Sequence, residues 1–178
     1  MTNQEKIKIK RIAVSFNTAL VVMGLKGLQG SYSNLPVNVK SYGELTSAIK
    51  RIMNVPVGMK DVSYFTTSFE NWQEVLDVIY NIAHRFKWKK ERYDCEDRAT
   101  TIKDLSSLIF GLNTCGIVYC EITNIQTGKR FRHYANLIVD DKGNLLLFDI
   151  DNAGVRKKIT GQTLTARLWH YRFIKAIF

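Results

Sequence analysis

Residues 117–150, "IVYCEITNIQTGKRFRHYANLIVDDKGNLLLFDI", decide how this chain folds. Three runs rich in β-branched, aromatic and aliphatic side chains, IVYCEIT (117–123), FRHYANLIV (131–139) and NLLLFDI (144–150), are separated by the turn segments QTGK and DDKG. That composition predicts strands joined by tight hairpins, an antiparallel meander. His133 falls on the second run and Asp149 near the end of the third. Both numbers are odd, but hairpin register decides whether they share a face.

Upstream, ERYDCEDRA (91–99) places Cys95 beside three carboxylates, Asp94, Glu96 and Asp97, where a helix begins. Asp94 is a natural N-cap, and the helix is expected from Cys95 to Leu112, ended by GLNTCG. In the first turn, free amide N–H groups and the helix dipole favour thiolate over thiol. Asp94, Glu96 and Asp97 oppose this, so a cationic partner must come from elsewhere in the chain. A nearby imidazole can take the thiol proton, and a carboxylate behind the ring fixes its tautomer and orientation. His133 and Asp149 are the candidates for these two roles.

Two further helices are announced by capping boxes, Ser41 with Glu44 and Thr67 with Glu70. The second carries Phe69, Trp72, Val75, Leu76, Ile79, Ala83 and Phe86 at helical spacing and should bury one face, with His84 a surface histidine. After Asp149, VRKKIT reads as a further strand and TLTARLWHYRFIKAIF as a basic helix with a broad apolar side.

At 178 residues with 46% hydrophobic content, the chain can bury one good core; 2 Pro and no Ser/Gly-rich run leave no obvious linker. Three cysteines, Cys95, Cys115 and Cys120, cannot form a complete disulfide framework, so a reducing compartment is the simpler reading. Lys6, Lys8, Lys10 and Arg11 precede IAVSFNTALVVMGL, but Ser15, Asn17 and Thr18 interrupt the apolar run and no A-x-A site follows. The expectation is therefore no cleaved signal and a cytoplasmic or virion-associated protein. No stretch reaches the length of a membrane-spanning helix.

The net charge of +10 is unevenly spread: 9 Lys/Arg against 2 acids in residues 1–60, 6 against none in 153–178, and 11 against 14 between them. Basic flanks fit an anionic partner or a solvated lysine-rich surface. RFKWKKER (85–92) interleaves aromatics with cations, but no nucleic-acid motif accompanies it, so it reads as a solvated loop.

Taken together, YDCEDRA before a helix, GIVYCEI, and RHYANLIVDDKGNLLLFDID resemble the transglutaminase-like branch of the papain-like cysteine enzymes over about residues 65–152. FENWQEVL…KWKKERYDCEDRA is similar to the run-in to the cysteine in small phage and bacterial members. The resemblance implies Cys95 as nucleophile, His133 as general base and acid, and Asp149 as orienting carboxylate. It also implies an oxyanion held partly by the Cys95 backbone N–H, with Trp72 and Trp88 as candidate indole donors. Arg98 replaces the usual aromatic residue and HYAN the usual His-Ala-Trp-Asn; Asp151 and Asn152 stand close enough to Asp149 to take its role.

The expected fold is α+β, helices packed on an antiparallel sheet in a papain-like or transglutaminase-like core. Residues 1–64 would be an N-terminal helical extension, 65–152 the core, and 153–178 a basic strand and helix packed on it. The expected function is thiol-dependent acyl transfer on a protein or peptide amide, a cysteine peptidase or amidase (hydrolase) with water as acceptor or a transglutaminase with an amine. No cofactor and no metal are expected: a zinc site from Cys95, Cys115, Cys120 and His133 lacks a C-x-x-C pair, and nothing requires calcium at Asp94, Glu96 and Asp97. Cys115 and Cys120 read as small apolar residues. The alternative is a structural or virion-associated basic protein, of phage or other viral type, that binds nucleic acid or a partner and keeps the site silent.

Overall fold

The computed structural model describes residues 35–86 and 93–178. The N-terminal basic and apolar runs, Trp88 and most of RFKWKKER lie outside the described residues. In chain order the elements are β1 (Asn38–Ser41), α1 (Tyr42–Ile52), β2 (Val57–Gly58), β3 (Ser63–Thr66), α2 (Phe69–Ala83) and α3 (Cys95–Phe110). They continue as β4 (Cys115–Asn124), β5 (Arg130–Val139), β6 (Leu145–Asp149), β7 (Val155–Ile159), β8 (Thr163–Ala166) and β9 (Trp169–Ile177).

The predicted hairpins are present. β4 pairs with β5 and β5 with β6, both antiparallel, and Gly128 and Gly143 take positive φ (68° and 76°) in the two connecting turns. The sheet is larger than a meander. Its order is β2-β9-β4-β5-β6-β7, with β8 also paired to β9, while β1 and β3 form a separate ribbon. The last strand therefore sits beside β4, deep in the sheet.

Register answers the question of faces. Asn136 opposes Phe148 and Leu137 opposes Leu147, so odd positions on β5 face odd positions on β6. One face carries Cys120, Ala135, Leu137, Leu145, Leu147, Tyr171 and Phe173, packed with Leu45, Ile49 and Met53 from the α1 region. The other carries Cys115, Ile138, Leu146 and Phe148 under α2 and α3, whose Trp72, Leu76, Ile79, Ile102 and Ile109 are buried there. His133 and Asp149 share the parity of the first face. Asn136, of opposite parity, points to α3 and donates from Nδ2 to the carbonyls of Ala99 (2.8 Å) and Gly116 (3.2 Å).

Several expectations are corrected. Among the described residues strand outweighs helix, 39% against 30%, so this is a mostly β fold and not an α+β papain-like or transglutaminase-like core. TLTARLWHYRFIKAIF forms the β8–β9 hairpin and no helix. The period is two: Tyr171 and Phe173 are buried while His170 and Arg172 are exposed. The turn between the strands was not legible because Arg167, with no glycine's freedom, adopts φ 52° there. Residues 35–64 contain three strands or strand starts besides α1, so this part is not a helical extension. The cap of α2 is Ser68, whose hydroxyl accepts from the Asn71 N–H; Thr67 instead donates its hydroxyl to the Pro36 carbonyl. The Ser41 and Glu44 capping box is formed as expected. No helix among the described residues is long and apolar enough to cross a membrane.

Candidate functional site

Asp94 caps α3: its carboxylate accepts from the Glu96 N–H, and Asp97 reaches back to the Asp94 N–H. Cys95 is the first helical residue and is half-buried. Cys95 thus stands in the first turn, where backbone N–H groups have no intrahelical acceptor.

Cys95 and His133 line one cleft of about 520 Å³ together with Asp149, Asp151, Asn152 and Arg98. His133 is buried, and its Nε2 lies 3.0 Å from Asp149 Oδ2. The Cys95 thiol, in the same cleft, is among the groups that raise the pKa of this imidazole. With Nε2 committed to Asp149, Nδ1 is the nitrogen left for the sulfur. Burial of the ring favours its neutral form, but Asp149 and Cys95 more than offset this and push His133 up to about 10. The carboxylate bonded to the His133 ring is that of Asp149, and neither Asp151 nor Asn152 takes that place.

Asp149 is held from four directions. Besides His133, it accepts from the Tyr171 hydroxyl (2.7 Å) and from the backbone N–H groups of Asp151 (3.0 Å) and Asn152 (3.3 Å). Burial raises its pKa, and these donors, His133 foremost, outweigh burial and lower it below the usual carboxylate range. Asn152 Nδ2 in turn donates to the Tyr171 oxygen at 2.8 Å. Tyr171 was missed in the sequence because it lay in a segment read as helix.

Arg98, one turn into α3, is buried and pairs with Asp151 beside the triad. Burial raises the Asp151 pKa, Asp149 adds to this, and Arg98 opposes it. His133, Asp149 and Asp151 offer ligand atoms within 4.8 Å of one another, but Asp149 already has four donors and Asp151 its arginine, so the set does not fit a cation. The zinc grouping is not assembled either: Cys115 faces α3 and Cys120 the opposite core. Both are free thiols whose pKa burial raises, Cys115 to about 12. Trp72 is fully buried and its indole donates to Thr66 Oγ1 at 3.3 Å, outside the cleft, so it is a core residue.

No family model and no curated protein matches the chain. Its fold is similar to two solved structures. One is a PSL1a–E64 complex, with TM-score 0.56 and 14% identity over 79% of this chain and 51% of that one. The other is the Polyporus squamosus lectin bound to a human-type influenza-binding epitope, Neu5Aca2-6Galb1-4GlcNAc, with TM-score 0.56 and 13% identity over 79% and 49%. The chain spans about half the length of each, and at these identities the likeness shows the fold alone. The second neighbour is a lectin, and on that finding the expected descriptions of hydrolase and cysteine or thiol protease are corrected, as the papain-like fold is by the strand content.

Proposed function

We propose that the cleft carries out thiol-dependent acyl transfer through Cys95. The observation that carries this reading is the buried His133 imidazole, joined through Nε2 to Asp149 at 3.0 Å and lining one cleft with the Cys95 side chain. His133 takes the thiol proton, and Cys95 Sγ attacks the carbonyl carbon of an amide, forming the C–S bond. The Cys95 N–H steadies the developing oxyanion. As the C–N bond breaks, the imidazolium returns the proton to the leaving amine. His133 then takes a proton from the acceptor, water or an amine, which attacks the thioester and releases Cys95. Asp149 keeps the ring oriented through both steps.

An activated acyl ester tests this directly. Intact-mass analysis should find one acyl group on Cys95 at early times, absent in Cys95→Ser and strongly slowed in His133→Ala. Acylation spread over other nucleophiles, or unchanged in His133→Ala, would sink the reading. E64, present in one structural neighbour, serves as a second probe of the same sulfur.

A second reading follows from the glycan bound to the other neighbour. Phe131 and Trp169, edge to face at 6.0 Å, line the cleft as sugar-binding aromatics would. Titration with the same trisaccharide tests it: saturable binding lost in Trp169→Ala supports glycan recognition, and no binding removes it.

A further inference from the structure

The outer face of β8, β9, β4 and β5 beyond the helices is open and basic. Register places Arg130, Thr123 and His170 in one row across the sheet, and Arg132, Glu121, Arg172 and Thr163 in the next. A third row holds Tyr134, Tyr119 and Lys175. Arg130, Arg132, His170, Arg172 and Lys175 are exposed, and Glu121 is the single acid of these rows, bridged to Arg172 at 3.3 Å. Among the described residues neither Arg130, Arg132 nor Lys175 has an ion-pair partner.

This face leads into the cleft. Arg132 lines the cleft itself. Next along β5 on the same face, Tyr134 packs on Tyr119, and its raised pKa reflects burial first and then the nearby Glu96, Tyr119 and Cys95. The cations thus form a track that reaches the cleft lined by Cys95. Successive same-side residues on a strand are about 6.8 Å apart, and an extended peptide repeats its own side chains at the same interval.

We propose that this face holds an acidic polypeptide in extended form and delivers one of its amides to Cys95. The proposal rests on the acyl-transfer reading of the cleft. Charge complementarity selects the partner: three unpaired cations on an open sheet meet carboxylates at matching spacing. A nucleic acid is the lesser fit. Tyr119 and Tyr134 pack on each other at 5.1 Å and leave no row of free rings for bases, and nucleic acids offer no carboxamide to the thiol.

The test uses the full chain as Cys95→Ser, so that binding is measured without chemistry. A fluorescein-labelled peptide alternating Glu and Ala should bind by anisotropy and weaken about tenfold or more as salt rises to about 0.3 M. Arg130→Glu with Lys175→Glu, exposed and outside the cleft, should weaken it by a similar factor, with the thermal midpoint unchanged. In the wild-type background the same pair should leave alkylation of Cys95 by iodoacetamide unaltered. Peptide binding indifferent to the two substitutions would overturn the proposal, as would oligothymidylate binding more tightly with the same charge dependence. Because the binding arm needs no thiol, its failure is separate from failure of the Cys95 chemistry.

Discussion

The Tyr171 hydroxyl donates to the Asp149 carboxylate at 2.7 Å although β4 and β5 lie between their strands. In a flat sheet strands three places apart stand about 14 Å from each other. The contact therefore exists because the sheet curls, bringing β9 and β6 together across its inner face. Curl and triad are one feature: the last strand of the chain closes the polar pocket that holds Asp149. Tyr171→Phe should cost about 1–2 kcal/mol, the price of one buried donor to a charged acceptor, in urea unfolding. It should also slow Cys95 alkylation several-fold, since Asp149 keeps its other three donors. Wild-type values for both would remove Tyr171 from the account.

Stability should depend on pH in a direction set by His133. Its folded pKa, about 10, lies above the ordinary 6.5, so the folded state holds the proton more tightly. The stabilisation is complete below about 6.5 and is lost as pH rises toward about 10. Asp149 runs the other way: its lowered pKa stabilises above the ordinary 3.8, and that contribution is lost as pH falls. Urea midpoints across the alkaline range should decline in the wild type and decline less in Asp149→Asn. An equally steep decline in both would contradict the assignment.

Arg98 and Asp151 should act as a pair. Arg98→Met leaves a carboxylate beside Asp149 without its cation, and the cost should be about 1–3 kcal/mol, kept modest because Asp151 is partly open to water. Adding Asp151→Asn should restore part of the loss. A double-mutant cycle in urea with no coupling would show that the pair contributes nothing to stability.

Asn136 ties the Cys-bearing helix to the sheet through the Ala99 and Gly116 carbonyls. Asn136→Leu leaves both acceptors without this donor and should cost about 1–3 kcal/mol. Hydrogen exchange should then rise most in the first turns of α3. Uniform protection would place the role of Asn136 elsewhere.

The site was more legible in the sequence than the fold around it. Asp94 and Cys95 were readable because capping chemistry is local, and the β4 to β6 hairpins because turn residues bracket β-branched runs. The pairing of His133 with Asp149 needed a register that sequence leaves open. Tyr171 was hidden for a different reason. Its strand alternates correctly, but the turn before it has an arginine at positive φ where a glycine would have signalled a hairpin. The place of β9 beside β4 depends on contacts between distant segments, which no local pattern carries.

The most direct test of the central claim is the pH dependence of Cys95 alkylation by iodoacetamide, followed by peptide mass in the wild type and in His133→Ala. The account predicts rapid labelling confined to Cys95 at neutral pH, with Cys115 and Cys120 silent, and a marked loss of neutral-pH reactivity at Cys95 when the imidazole is removed. Equal, slow labelling of Cys95 in both proteins, rising only at alkaline pH, would contradict it.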